Sequence, residues 1–400
     1  MVGAGSVACV VTLATTPLVI AYLRRMSVLD VAGDRSLHTV PTPRGGGAAV
    51  VLGMFAGVLA TVLASGRGSA PDLLPMTLAV TLFGLIGLAE DVAGDIGGIS
   101  PLRRLAMQGI GAAAVTATTV LSVTLVSGRP STAVLVAAAV VGPLWVTGFV
   151  NAFNFMDGVN GISAAQATVA GVGYALVGAV HHDSALVAGG AVVGGAALGF
   201  APFNLPRALV FLGDVGSYAL GGAIAALALQ AAIAGVGIEA VVAPVVLYLA
   251  DTATTLARRV RAGERWYLPH RSHAYQRLAT AGWSHTAVTT YTGLLAALCC
   301  AFGLVTARGA SVPARICADL AICLVVLRYL GAPRRVAARL AADPAVAPPV
   351  AARAVAAPPP PPPASTPAPT PTVAVPAQRA PVEPVSGPLP AAEVAARETP

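Results

Sequence analysis

The sequence predicts an all-α integral membrane protein with about eleven transmembrane helices. Of its 400 residues, 56% are hydrophobic and only 10% are charged, whereas a soluble domain usually carries roughly 25% charged residues. Apolar stretches near the roughly 20 residues that a helix needs to cross a bilayer recur along residues 1–331. An alanine-rich soluble bundle would need polar outer faces, which stretches such as 134–150 lack.

The predicted spans are separated by polar junctions whose arginines indicate the orientation. The spans cover residues 6–23, 47–64, 74–90, 105–126, 132–150, 162–180, 185–200, 217–235, 238–256, 286–306 and 314–331. All 24 basic residues are arginine, which favours a bacterial genome rich in G and C. Thirteen arginines follow odd-numbered spans and four follow even-numbered spans. Since arginine accumulates on the cytoplasmic side, we expect the N-terminus outside and the C-terminus in the cytoplasm.

The two ends of the chain differ from its transmembrane middle. Arg24 and Arg25 follow the first apolar stretch instead of preceding it, which predicts a retained span and not a cleaved signal. Residues 332–400 form a Pro/Ala-rich tail, with 18 prolines in the last 60 residues. Because proline lacks a backbone donor and fixes its own dihedral, we expect a disordered cytoplasmic tail with polyproline II character. An SH3-type ligand and an inert low-complexity tail are both compatible with it.

Functional groups concentrate in five junctions on the predicted cytoplasmic side. These junctions are residues 30–47, 89–108, 151–163, 202–217 and 251–278. The outward junctions, such as SGRGSAPD and HHDS, are short and carry no comparable cluster. Chemistry is therefore expected at the cytoplasmic face.

The cytoplasmic junctions carry carboxylates at the ends of apolar spans. They are Glu90, Asp91, Asp157, Asp214 and Asp251. Ionisable groups at such depths are costly and usually face a polar cavity. Each one alone is equally well explained as an interfacial residue or a helix cap. Together on one side they favour a Mg²⁺ site, because Mg²⁺ is usually bound by one or two carboxylates plus substrate phosphates.

Basic and amide groups complete the pattern. Arg44 precedes three glycines, and Arg271, His273 and Arg277 lie in the last junction. The arginine fork matches phosphate oxygens, and glycine allows close approach of a ligand. The positive-inside rule alone accounts for the arginines within 258–261.

The stretch NAFNFMDGVNGIS (151–163) holds three of the four asparagines in the chain. Such side chains can pair with the donors and acceptors of a base or a sugar. A structural turn is the alternative, because Asp-Gly and Asn-Gly are turn signals. One face of the protein thus offers groups for a metal ion, for phosphate and for a base or sugar, and it lies beside the lipid. This combination predicts a reaction that joins a nucleotide-activated group to a phosphorylated lipid.

Five motifs, in order, resemble those of the polyprenyl-phosphate N-acetylhexosamine-1-phosphate transferases of glycosyltransferase family 4. They are H-x-x-P-x-P-R-G-G-G from His38, the acidic pair with SPLRRLAMQ, NxxNFMDGxxG, GDVGS, and the HRSH loop. The resemblance covers about residues 1–331. It implies a multi-pass enzyme of the bacterial plasma membrane that transfers a sugar-1-phosphate, by default GlcNAc-1-phosphate, from a UDP-sugar to polyprenyl phosphate. It also implies release of UMP and a need for Mg²⁺, with Mn²⁺ as an alternative.

The patterns and the resemblance together give a set of candidate site residues. The catalytic candidates are Asp91, Glu90, Asp214 and His273. The substrate-binding candidates are Asn154, Asp157, Asn160, Arg44, His38, Arg271, Arg277 and Asp251. The metal-binding candidates are Asp214 and Asp157. A lipid phosphate has a second pKa of about 6 and needs little deprotonation, so we expect Asp91 to position it and not to act as a base.

The chain departs from the family pattern at three places. The acidic pair is Glu90–Asp91 where the family usually has two aspartates, which ranks Asp91 above Glu90. Asn160 replaces an acidic residue, and Tyr275 and Gln276 stand where relatives carry histidines. The reduced histidine cluster argues against the MurNAc-pentapeptide enzyme, and the NFMDG and HRSHAYQRL stretches resemble more closely the surface-polysaccharide branch.

Two other function classes are compatible with a polytopic chain. A transporter or flippase of lipid-linked sugars would place polar groups near mid-membrane at broken helices, whereas these spans are apolar at their centres. A lipid-phosphate hydrolase could use similar groups. No nucleic-acid partner is expected, and a homodimer is an open alternative.

Overall fold

The computed structural model describes residues 2–30, 41–65, 70–93, 98–264, 271–307 and 309–342. In chain order its helices are α1 (Val2–Arg25), α2 (Gly47–Ser65), α3 (Ala70–Ala93), α4 (Pro101–Ser127), α5 (Thr132–Phe155), α6 (Ile162–His181), α7 (Ser184–Asn204), α8 (Gly213–Ile233), α9 (Ile238–Val242), α10 (Val246–Arg261), α11 (Ala274–Thr280), α12 (His285–Ala307) and α13 (Val312–Ala342). Two short strands, β1 (Leu29–Asp30) and β2 (Thr42–Pro43), pair antiparallel.

The predicted all-α membrane architecture is confirmed. Within the described ranges, eleven helical segments are long and apolar enough to cross a bilayer. The ninth predicted span is divided into α9 and α10 by a 3₁₀ turn at Ala243–Val245, which contains Pro244. A proline cannot donate the backbone hydrogen bond that would continue the helix.

Several helices extend beyond the ends of the predicted spans, and their terminal turns include polar residues. Glu90 and Asp91 lie in the last turn of α3, Asn154 lies in the last turn of α5, and Asp214 lies in the first turn of α8. A hydropathy pattern ends at the first polar residue, whereas a helical backbone continues as long as its hydrogen bonds are made. The predicted membrane boundary at 331 likewise falls inside α13, which ends at Ala342. Residues 343–400 of the predicted tail lie outside the described residues, so the domain division stays a prediction.

Helix α8 lies at the centre of the bundle. Nearly all of its residues are buried, and it packs against α2, α3, α4, α5, α6 and α7. Small residues permit this close packing, as is common where helices meet in membranes. A Cβ atom added to Gly47 of α2 would overlap the backbone of Gly216, and one added to Gly87 of α3 would overlap the carbonyl group of Asp214.

The first junction is fastened to the start of α8 by backbone hydrogen bonds that the sequence did not predict. After β2, Gly46 N donates to Phe211 O at 2.9 Å and Gly47 N donates to Leu212 O at 2.8 Å. In return, Phe211 N donates to Pro43 O at 2.8 Å. This pairing fixes the backbone of Arg44 beside the N-terminus of α8.

We predict that Gly87→Ala destabilises the fold, whereas Gly84→Ala does not. Both glycines are buried on α3, but a Cβ at Gly84 would meet its nearest neighbours at 3.7 Å, an ordinary contact. Overpacking usually costs about 1–3 kcal/mol, while replacing an unstrained helical glycine by alanine gains about 0.5–1 kcal/mol. Thermal unfolding of the purified chain in detergent measures the difference. Equal midpoints for the two variants would contradict the close packing of α3 on α8.

Candidate active site

Asp91 caps the N-terminus of α8. Its Oδ1 accepts a hydrogen bond from Asp214 N at 3.0 Å, and its Oδ2 accepts one from Val215 N at 2.9 Å. The first turn of a helix has backbone donors without helical partners and a positive dipole end, so it favours a carboxylate. The Asp91 side chain is only 6% exposed. Gly213, with φ of +74°, precedes the capped turn, and a Cβ there would approach Asp91 Oδ2 to 2.7 Å.

Arg44 bridges two carboxylates at this helix end. Its Nε lies 2.9 Å from Asp91 Oδ1, and its Nη2 lies 3.0 Å from Asp214 Oδ2. Burial by itself lowers the pKa of Arg44, but the charges of Asp214, Asp91 and Asp30 outweigh it and raise the pKa above its usual value. The guanidinium therefore stays charged, and its side chain remains 39% exposed.

Asn154 brings the third junction to the same point. From the last turn of α5, its Nδ2 donates to Asp214 Oδ1 and to Ser217 Oγ, both at 2.9 Å. Arg44, Asp91, Asn154 and Asp214 are called the Arg44 cluster below. Four of the five polar junctions thus meet at one end of the bundle. Ser217 belongs to the motif GDVGS but is not among the site residues predicted from the sequence.

Asp157 lies in the turn after α5 and is electrostatically coupled to the cluster. Burial raises the pKa of this carboxyl group to about 7; the nearby hydroxyl of Ser163 opposes the shift and the Asp214 charge adds to it. A carboxylate with this pKa is only partly ionised at neutral pH. A bound cation would favour its ionised form.

The fifth junction is held by a buried carboxylate. Asp251 is fully buried, and its oxygens accept from Ala274 N at 2.9 and 3.0 Å and from the hydroxyl of Tyr329 at 2.8 Å. Its Oδ1 lies 3.3 Å from His273 Nδ1 and accepts from the hydroxyl of Thr255 at 3.1 Å. These contacts fix the start of α11, where His273 is the N-cap. These contacts of Asp251 are with the protein itself, so its substrate-binding role stays a prediction.

His273 packs against the end of α5. Its ring centroid lies 6.3 Å from that of Phe155 and 5.8 Å from that of Tyr275. The hydroxyl of Tyr275 donates to Phe155 O at 2.9 Å. The fifth junction thereby contacts the segment that carries Asn154 and Asp157.

Comparison with known proteins shows the family to which the chain belongs. Residues 73–232 match the family model described as glycosyl transferase family 4. The chain is 31% identical to the decaprenyl-phosphate N-acetylglucosaminephosphotransferase of Mycobacterium leprae, over 71% of this chain and 78% of that protein. The chain belongs to glycosyltransferase family 4. The predicted family is thereby confirmed.

Other family 4 relatives differ in the substrates that their names state. A probable undecaprenyl-phosphate N-acetylglucosaminyl 1-phosphate transferase of Bacillus subtilis is 29% identical, over 70% of this chain and 78% of that protein. A phospho-N-acetylmuramoyl-pentapeptide-transferase of Symbiobacterium thermophilum is 32% identical, over 56% of this chain and 72% of that protein. The family model covers Asp91, Asn154, Asp157 and Asp214, whereas Arg44 and His273 lie outside it.

The acidic pair of this family 4 member is split. Glu90 Oε1 pairs with Arg104 Nη1 of α4 at 3.3 Å, while Asp91 faces α8. Neighbouring residues on a helix point about 100° apart, so the two carboxylates approach different partners. The sequence ranked Asp91 above Glu90 but did not predict their separate partners, which depend on the packing of α3 against α4 and α8.

The remaining candidates lie apart from these contacts or outside the described residues. Asn160 is tied to α12, because its carbonyl accepts from the hydroxyl of Thr289 at 2.7 Å. Arg271 is half-buried and lies just before α11. Arg277 is half-buried and lies near the middle of this helix. His38 falls outside the described residues, so its assignment stays a prediction.

We predict that Tyr329→Phe loosens the start of α11. The variant removes a buried hydrogen bond to a carboxylate, and bonds to charged groups contribute about 1.5–3 kcal/mol. Tyr291→Phe is the matched control, because its hydroxyl is 3.4 Å from Arg328 O, beyond the usual range. Hydrogen exchange at the Ala274 amide and the unfolding temperature should change only in Tyr329→Phe. Unchanged exchange in that variant would show that Tyr329 does not hold this loop.

Proposed function

We propose that the chain transfers N-acetylhexosamine-1-phosphate, by default GlcNAc-1-phosphate, from a UDP-sugar to polyprenyl phosphate and releases UMP. The Arg44 cluster carries this proposal, because it places a fixed arginine and two carboxylates at one end of a membrane-spanning bundle. Family membership supports it, since relatives are named for transfer of N-acetylglucosamine phosphate to decaprenyl phosphate. The product would initiate a lipid-linked surface or cell-wall glycan.

The reaction exchanges one phosphate–oxygen bond for another. An oxygen of the lipid phosphate attacks the phosphorus that bears the sugar, and the bond between this phosphorus and the UMP oxygen breaks. Both partners are anionic, so the site must reduce their repulsion and align them. A lipid phosphate is mostly dianionic at neutral pH, because its second pKa is about 6.

The surroundings of Asp91 support a positioning role. Both of its oxygens already accept backbone hydrogen bonds from α8, and Arg44 Nε contacts Oδ1. A general base needs an oxygen directed at the proton that it accepts. We propose that Asp91 fixes Arg44 and the start of α8, so that the exposed guanidinium edge of Arg44 contacts a phosphate.

The other candidates have complementary proposed roles. His273 and Arg271, at the start of α11, would donate to the diphosphate. Asn154 is held by its bonds to Asp214 and Ser217, and its proposed role is to contact the nucleotide. Asn160, Arg277, Asp251 and His38 remain candidates for substrate contacts.

We propose that a divalent cation binds to Asp214 of the Arg44 cluster and to the neighbouring Asp157, together with phosphate oxygens of the substrate. The described residues include no group of three His, Cys, Asp or Glu side chains placed to hold a metal ion. Mg²⁺ commonly takes only one or two carboxylates together with substrate phosphates. Asp214 and Asp157 would be those carboxylates, and the raised pKa of Asp157 fits a group that is ionised when a cation is present. When bound, Mg²⁺ or Mn²⁺ would supply charge neutralisation at the diphosphate.

We place the site on the cytoplasmic face of a bacterial plasma membrane. Arg24 and Arg25 end α1, and Arg258, Arg259 and Arg261 end α10. Arginine at span ends favours the cytoplasmic side. The partners are the UDP-sugar, polyprenyl phosphate and the bilayer; a homodimer stays an open alternative.

We predict that purified chain moves label from UDP-[¹⁴C]GlcNAc into an organic phase in the presence of polyprenyl phosphate, with equimolar UMP. Asp214→Asn and Arg44→Lys should each reduce the rate by about 10²–10³, the usual effect of removing one preorganised charge-stabilising group. Arg44→Lys keeps the charge but loses the fork that spans both carboxylates.

Asp319→Asn is the control, because Asp319 lies near the start of α13 and takes no part in the Arg44 cluster. Release of inorganic phosphate without lipid labelling would instead support a hydrolase. Movement of lipid-linked sugar across vesicles, without UMP release, would support a flippase.

We predict that EDTA abolishes transfer and that Mg²⁺ or Mn²⁺ restores it. Asp157→Asn should raise the Mg²⁺ concentration needed for half-maximal activity at least tenfold, because it removes one of two proposed carboxylate ligands. Asp72→Asn, a change at the opposite end of the bundle, should leave this concentration unchanged. Full activity in EDTA would remove the cation from the proposal.

A further inference from the structure

One face of α10 holds the short segment that leads into α11. Residues 271–274 form this segment, which is called the entry segment below. On α10, Asp251, Thr255 and Arg258 are spaced i, i+4 and i+7, so their side chains share one face of the helix. The three side chains are also bonded to one another. Thr255 Oγ donates to Asp251 Oδ1 at 3.1 Å and accepts from Arg258 Nη2 at 2.9 Å.

These connected side chains contact three consecutive residues of the entry segment. Arg258 Nη2 also donates to Ser272 O at 3.0 Å. Asp251 Oδ1 lies 3.3 Å from His273 Nδ1, and both Asp251 oxygens accept from Ala274 N. The contacts thus include the main chain on either side of His273 as well as its imidazole. They fix both the path of the segment and the direction of the ring.

The surroundings of Asp251 favour an action through these neighbours over contact with a substrate. The residue is fully buried. Its Oδ1 accepts from Ala274 N and the Thr255 hydroxyl, and its Oδ2 accepts from Ala274 N and the Tyr329 hydroxyl. Both oxygens are therefore occupied by groups of the protein itself. A carboxylate in this setting acts on a reaction through the residues that it holds.

Arg258 has a contact that its neighbouring arginines do not explain. The positive-inside rule accounts for every arginine at the end of α10 equally well. Arg259 pairs with Glu264 at 2.8 Å, and Arg261 is exposed. Arg258 instead donates to the entry segment at Ser272 O. Its place in the structure is therefore more specific than a contribution to membrane orientation.

We propose that Asp251 and Arg258 are positioning residues for the transfer reaction, because they hold the entry segment in place. Arg271 and His273 of this segment would then contact the diphosphate, so the inference rests on the proposed function. A misplacement of about 1 Å can lower a reaction rate by about 10²-fold, since alignment supplies a large part of catalysis. Asp251 would thus contribute without the substrate contact considered for it above.

The first test compares the loss of two arginines from the same helix end. Arg258→Gln should lower the transfer rate by roughly tenfold or more, because the entry segment loses one of its holds. Arg261→Gln should transfer as fast as the unaltered chain. Both variants remove one positive charge, so an equal effect of the two would show that charge alone matters and would overturn the role of Arg258.

A double-mutant cycle tests whether the effect passes through the entry segment. In the background Arg271→Gln/His273→Ala, adding Arg258→Gln or Asp251→Asn should lower the remaining rate by less than about twofold, because the groups that they position are already gone. A further loss as large as that in the unaltered chain would overturn the inference, since Asp251 or Arg258 would then act independently of the segment. Full activity of the background variant would also overturn it.

Rates are compared per folded molecule, with thermal unfolding in detergent as the check on folding. If Asp251→Asn does not fold, the cycle with Arg258→Gln decides, because Arg258 is exposed and its loss leaves the core intact. Absence of transfer by the unaltered chain would instead overturn the proposed function, and this inference with it. The two failures are therefore distinguishable.

Discussion

The site depends on one interaction, the cap that the Asp91 carboxylate forms on the N-terminus of α8. It joins α3 to the most buried helix of the bundle, and it directs Asp214 and Arg44 toward each other. In a bilayer there is little water to solvate an unpaired charge or an open helix end. The carboxylate, the helix dipole and the guanidinium therefore stabilise one another, and the resulting group remains partly exposed to a ligand.

Small residues make the close approach of these helices sterically possible. The backbones of α2, α3 and α8 approach closely at Gly47, Gly87 and Gly216. Gly213 takes a backbone conformation that favours glycine, directly before the capped turn. The glycines of this region thus determine the distances at which charged groups of different helices meet.

The sequence was sufficient for the membrane architecture and for the grouping of polar junctions. Spans are set by continuous hydrophobicity, which is a local property of the chain, and the polar junctions lie at the ends of the spans. The β1–β2 pairing, the separation of Glu90 from Asp91 and the burial of Asp251 were not predictable, because each depends on a contact between distant segments. Tyr329 illustrates the limit: it is one tyrosine in an apolar span, and nothing nearby indicates a partner 78 residues earlier. The roles of the candidate residues in catalysis stay predictions.

The bond between Tyr329 and Asp251 also has a consequence for biosynthesis. Helix α10 and the His273 segment leave the ribosome before α13, so Asp251 enters the bilayer while one of its partners has not yet been made. Asp251 gains its full set of donors only when the last helix has inserted. The contacts of Asp251 that hold the start of α11 are therefore completed late. A chain that stops before α13 lacks the Tyr329 hydroxyl that donates to this carboxylate.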